Sequence, residues 1–234
     1  MERHIVFERC FNFRDLGGYE AADGRRVRWR RLFRGMTPEF MTQADLRLAR
    51  DELAIRSVID FRWRGESSGP LARPPVRRAN IDFDWDGVPD GLQPEDFFRR
   101  FTRLNGRTIV FALRQIVASD APVFMHCSVG RDRTGIVAAA VLKLLGVSDD
   151  DVVEDYMHSV PGFEAAQALR SRMGYDPGFN LLRGRPRWSL GAPQESWVRA
   201  ILAALDAGEG VGAFVRAAGA SPELIQRLQE WALE

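Results

Sequence analysis

Ten consecutive positions concentrate the chemistry of this chain: His126-Cys127-Ser128-Val129-Gly130-Arg131-Asp132-Arg133-Thr134-Gly135. If the stretch wraps so that its amides point inward at the start of a helix, it forms an anion site from N–H groups and the positive helix end. Gly130 permits conformations that a Cβ obstructs, and Gly135 allows the helix to pack closely on its strand. Arg133 follows Cys127 by six residues, which sets thiol and guanidinium facing each other across a ring that suits a phosphoryl group. Ser128, Val129, Gly130, Arg131 and Thr134 complete the expected phosphate-binding set. Helix end, amides and Arg133 all favour the Cys127 thiolate, a nucleophile able to attack phosphorus and form a phosphocysteine that water then hydrolyses. Asp132 is the nearest acid for the leaving oxygen. Thr134 either donates to the sulfur or caps the helix, and His126 positions the cysteine. Such chemistry calls for no cofactor and no metal.

The elements around this turn must hold it. Pro122 to Met125 reads as a buried strand and a helix starts near Arg133, the strand–loop–helix order in which parallel sheets bind ligands at their C-terminal edge. Upstream, Gly17-Gly18 and Asp23-Gly24 predict a hairpin, and strands are expected at Leu32–Arg34, Ser57–Phe61 and Ile81–Trp85. Thr42 predicts a capped helix to about Glu52, and Pro94 to Ser119 a helix broken near Asn105-Gly106. Ser148 starts a helix to about His158, after which Pro161-Gly162 is expected to break the chain before a helix from Phe163 to Met173. Residues 174–193 read as a long irregular stretch, and helices resume at Glu195–Ala207 and Ser221–Leu233. Strands alternating with helices, then helices alone, predict one α/β domain over residues 1–234 with a helical C-terminal part.

Composition narrows the partners. With 45% hydrophobic residues the 234-residue chain can bury a real core. Thirty-three basic against 32 acidic residues leave a formal charge of +1, so no global field argues for nucleic acid or membrane. The longest apolar run, Ile136 to Val147, is interrupted by Lys143 and too short to span a bilayer. Two distant cysteines make neither a disulfide framework nor a zinc set, and the start Met1-Glu2-Arg3-His4 has no leader pattern, so a cytoplasmic setting is expected. Cys10 reads as a small apolar side chain.

The decapeptide looks like the signature of cysteine-dependent phosphatases, and Asp132 just before Arg133 narrows the match. It resembles the atypical bacterial enzymes called tyrosine phosphatase family 3, some of which also act on phosphoserine, phosphothreonine and phosphoinositides. Asn12-Phe13-Arg14-Asp15-Leu16-Gly17-Gly18-Tyr19, Leu32-Phe33-Arg34, Val58-Ile59-Asp60-Phe61-Arg62 with Glu66, Asp155-Tyr156 with Ser159, and Ala213 to Leu233 look like that family's landmarks, in its order. The resemblance implies a mainly parallel sheet flanked by helices, Cys127 as nucleophile, Arg133 as phosphate clamp and Asp132 as acid. It also implies that Arg62 approaches the pocket and that Asp86, or Asp84, supplies a second carboxylate. A lid or substrate-facing insertion is expected over residues 161–193, with Arg183, Arg185 and Arg187 attracting anions. Arg131 stands where many members carry lysine. The expected partner is a phosphotyrosine protein; the alternatives are a phosphoinositide phosphatase, for which Arg131 beside Arg133 speaks, and a phosphate-binding module without turnover. A rhodanese-type sulfur transferase also uses a loop cysteine but does not call for this arginine and threonine.

Overall fold

The computed structural model describes residues 2–63, 66, 69–174 and 191–234. Its centre is a five-stranded sheet made of β1 (Arg14–Asp15), β2 (Leu32–Gly35), β3 (Ser57–Asp60), β4 (Arg77–Asn80) and β5 (Val123–His126), in the order β1-β2-β5-β3-β4. Only β1 pairs antiparallel; the other three pairings are parallel. The sheet is thus mainly parallel, as expected. Side chains alternate between its faces: Leu32, Ile59, Val123 and Met125 enter one apolar cluster, whereas Phe33, Val58 and Phe124 enter another. Burial on both faces explains why β2, β3 and β5 read as short apolar runs.

The larger cluster is covered by α2 (Pro94–Leu104), α3 (Gly106–Val117), α4 (Asp132–Leu144), α5 (Asp149–Met157) and the C-terminal helices α7 (Glu195–Leu205), α8 (Gly210–Ala217) and α9 (Pro222–Ala232). The smaller is covered by α1 (Gln43–Arg47) and α6 (Ser159–Arg172). Helix α4 is buried from Arg133 to Leu142. An apolar helix of this kind belongs inside, which accounts for the longest hydrophobic run.

Several sequence expectations are corrected. Ile81–Trp85 is not a strand: its inside–outside alternation is real, but β3 ends at Asp60 and the strand beside it, β4, lies earlier, at Arg77–Asn80. The segment after Thr42 keeps its capping box with Asp45, yet regular helix stops at Arg47 and a wider π turn runs on to Glu52. Pro161-Gly162 does not break the chain, because α6 begins at Ser159 and carries Pro161 in its first turn, where no intrahelical N–H is needed. A Cβ on Gly162 would lie 2.8 Å from the Asn12 backbone, so this glycine lets the N-terminal segment lie against α6. Helix α8 begins at Gly210, three residues before the segment from Ala213 that resembles the family's C-terminal helices. Of the expected lid, residues 175–190 and the three arginines lie outside the described residues.

Candidate active site

Register places the site. Gly35 of β2 and Asp60 of β3 both flank His126 of β5. The chain leaving each strand, at Met36-Thr37, Phe61-Arg62 and Cys127, therefore emerges at one sheet edge. Cys127 lies at its floor, 2% exposed. Gly130 turns the loop with φ +73°; a Cβ there would stand 2.2 Å from the Gly35 carbonyl oxygen.

Successive carbonyls of the loop are held from outside. The Thr37 amide donates to the Ser128 oxygen at 3.2 Å and Asn12 Nδ2 to the Val129 oxygen at 2.8 Å. Arg34 Nη2 donates to the Gly130 oxygen at 2.8 Å and reaches the Arg131 oxygen at 3.4 Å. In a trans peptide the following N–H points opposite to its carbonyl. Those of Val129, Gly130 and Arg131 consequently point away from these partners, beside an α4 N-terminus that no side chain caps, while the Arg131 carbonyl accepts the Gly135 amide at 2.8 Å as the first bond of α4. Amides turned this way beside a helix N-terminus suit an anion.

The groups that grip the loop are themselves anchored by a buried charge cluster. Asp155 receives Arg14 Nε at 2.8 Å and Arg34 Nη1 on its other oxygen, while Arg14 also reaches Asn12 Oδ1 and, at 3.1 Å, Ser159 Oγ. Burial alone would raise Asp155, but the two guanidiniums outweigh it and hold the carboxyl below the usual range. Arg14 is lowered to about 10 by burial and by Arg34, as expected when two cations share one carboxylate. Removing Asp155 would strand both buried cations, a loss of about 3–5 kcal/mol. The N-terminal segment and the Asp155/Ser159 pair thus act together on the Cys127 turn, a long-range link that no local spacing announces.

Arg133 is 7% exposed, with Nη1 on the Phe61 carbonyl at 2.9 Å. Arg131 is turned away: its Nε and Nη2 fork the Asp132 carboxylate at 2.8 and 3.0 Å, Nη1 bonds the Gly191 carbonyl, and the guanidinium lies 4.5 Å from the Phe163 ring and 5.5 Å from the Trp197 ring. Thr134 Oγ1 and Tyr156 Oη are buried without a hydrogen-bond partner among the described residues, so Thr134 neither bonds the sulfur nor caps α4. His126 is lowered to about 4, mainly by burial, and is a neutral ring whose Nδ1 lies 3.2 Å from the Cys127 carbonyl oxygen. Cys10 is buried behind the loop, with its Sγ 3.6 Å from the Met36 carbonyl oxygen.

Arg62, expected to approach the pocket, is fully buried and bound to Asp60, Glu39 and Glu66. Asp86 is exposed on the loop after β4, its amide donating to Asp84 Oδ1. That loop brings in a residue the sequence reading passed over, Trp85, whose ring centre is 6.0 Å from the Arg133 guanidinium carbon. Asn105 pins the loop by accepting from the Asp84 amide at 2.7 Å and donating to the Asp84 carbonyl at 2.9 Å, while Trp85 packs on Phe101. The available signal was an aromatic residue ending an alternating run between two aspartates.

A mainly parallel sheet covered by helices, with cysteine and arginine six positions apart on the turn between its central strand and the next helix, is the arrangement of cysteine-dependent phosphatases. The chain belongs to the tyrosine phosphatase family, whose model it matches over residues 5–234. It is 34% identical over 179 residues to a Cupriavidus necator protein named as a tyrosine-protein phosphatase, covering 67% of this chain and 63% of that protein. To the triple specificity protein phosphatase PtpB of Mycobacterium tuberculosis it is 35% identical over 79 residues, 33% of this chain and 29% of that protein. These matches span less than two thirds of either relative. Among solved structures, P. aeruginosa TpbA is 20% identical with a TM-score of 0.40, covering 67% of this chain and 96% of that one. No described helix is long and apolar enough to cross a membrane.

Proposed function

We propose that this protein hydrolyses phosphomonoesters, with phosphotyrosine in proteins as the substrate class. The observation that carries the reading is the hold on the turn: the Ser128, Val129 and Gly130 carbonyls are taken up by Thr37, Asn12 and Arg34, which supports the following amides as donors to an anion beside Cys127. Bound there, a phosphate dianion meets N–H donors on its equatorial oxygens and the remaining nitrogens of Arg133. The Cys127 thiolate attacks phosphorus in line; the P–O bond to the leaving group breaks as Asp132 gives that oxygen a proton. Water then attacks the phosphocysteine, Asp132 takes its proton, and the thiolate departs with inorganic phosphate released. Because Arg131 forks Asp132, the acid must exchange a guanidinium contact for the substrate oxygen during the cycle.

Trp85 favours an aromatic leaving group, since its ring borders the space next to Arg133. The argument for a phosphoinositide, two guanidiniums side by side, loses weight because Arg131 is engaged elsewhere. The test is hydrolysis of an aryl phosphate in the presence of chelator. Cys127→Ser is expected to abolish turnover, and Asp132→Asn to slow alkyl phosphates more than aryl phosphates with good leaving groups. Undiminished turnover by Cys127→Ser would eliminate the nucleophile, and tight phosphate binding without hydrolysis of phosphotyrosine, phosphoserine or inositol phosphates would leave only a binding module.

A further inference from the structure

We infer that Arg62 is a positioning residue for Arg133, acting through the backbone of Phe61; the inference rests on the phosphatase reading above. Arg133 needs two parallel N–H bonds to hold two phosphoryl oxygens. Its Nη1 is committed to the Phe61 carbonyl at 2.9 Å, which leaves Nε and Nη2, one edge of the planar group, as the fork. Where that edge points depends on where the Phe61 carbonyl is fixed.

The Phe61 carbonyl is fixed by a turn closed around Arg62. The Arg62 amide and Nε both donate to Asp60 Oδ1, at 3.0 and 3.1 Å, and Nη2 donates to Asp60 Oδ2 at 3.1 Å. Backbone and side chain of one residue are thereby locked onto one carboxylate. Nη1 continues to Glu39 Oε2 at 3.2 Å, with Glu66 Oε2 at 3.5 Å. From the β4 side, Asn80 Nδ2 donates to the carbonyls of Arg62 at 2.7 Å and Asp60 at 3.1 Å. On the other side, the Phe61 amide donates to the His126 carbonyl at 2.9 Å, tying the turn to the residue before Cys127. The peptide that holds Arg133 is thus gripped on both flanks, and the cation at its centre is not exposed at all. A lysine there would keep the charge but cannot bond both Asp60 oxygens with planar geometry while reaching Glu39. The turn would relax by a fraction of an ångström, and misplacing a positioning group by about 1 Å costs on the order of a hundredfold in rate.

The experiment uses full-length Arg62→Lys. Alkylation of Cys127 by neutral iodoacetamide reports the loop and its thiolate, whereas protection by inorganic phosphate reports the Arg133 clamp. We expect alkylation within about twofold of the parent, a roughly tenfold rise in the phosphate needed for half-protection, and at least a roughly tenfold fall in kcat on an aryl phosphate. If the folded variant shows parental phosphate protection and kcat, with only its unfolding midpoint lowered, Arg62 is structural and the inference is overturned. Should Arg62→Lys not fold, Glu39→Gln at the outer end of the cluster carries the test, with a roughly threefold shift of both readouts expected and no shift overturning it. A parent protein without hydrolytic activity would defeat the phosphatase reading instead, a result distinct from an active parent with an indistinguishable variant.

Discussion

Trp85 and Arg133 illustrate how far single residues could be understood in advance. The turn that carries Cys127, Gly130 and Arg133 was legible because a strand, a glycine and a helix start follow one another within one stretch of sequence. Trp85 was not: its neighbour Arg133 is distant in sequence, and the alternation Ile81-Asp82-Phe83-Asp84-Trp85 reads as strand. Its position makes a prediction about selectivity. Trp85→Ala should lower kcat/KM for a phosphotyrosine peptide roughly threefold to tenfold, the worth of one aromatic contact, and change a phosphoserine peptide much less. Trp85→Phe should recover most of the loss. Equal effects on both peptides would mean that the ring supports the loop without touching the substrate.

At the scale of elements, the Cys127 turn is a junction between β2, β5 and α4. Its shape comes from groups that are not its own: Asn12, Arg34 and the Thr37 amide hold its carbonyls, and Gly35 presses against Gly130. Gly130→Ala meets backbone atoms rather than a flexible side chain, at a φ of +73°. It should destabilise the fold by about 2–4 kcal/mol, since both the strain and the overlap must be relieved by moving the end of β2. Urea unfolding of the purified variant measures this, and a midpoint equal to the parent's would show that the turn can reshape freely. Pro161 gives the complementary case: a residue read as a helix breaker lies in the first turn of α6, because the tight approach at Gly162 brings that turn against Asn12.

For the molecule as a whole, burying so much charge beneath one turn makes stability depend on pH. His126 titrates at about 4 when folded against 6.5 ordinarily. Between those values the unfolded chain binds more protons, so stability is lost as pH falls from about 6.5 towards 4. Asp60 is lowered as well: burial would raise it, but His126 when protonated and Arg62 together hold it below its usual 3.8. With Asp155 it extends the loss below that pH. We expect the urea midpoint to fall between pH 6.5 and 4.5, and His126→Gln to flatten that arm; an unchanged slope in the variant would assign the effect to other groups.

The sequence by itself determined the alternation of strands and helices and the strand–turn–helix that carries Cys127 and Arg133, because periodicity, glycine and a six-residue spacing are local properties. Only the tertiary structure decided that Arg62 is buried among three carboxylates, that Arg131 turns onto Asp132, and that Asn12, Arg34 and Trp85 converge on the loop. Those outcomes depend on which strand ends share an edge of the sheet and on where buried charges find partners, and both are settled by long-range packing.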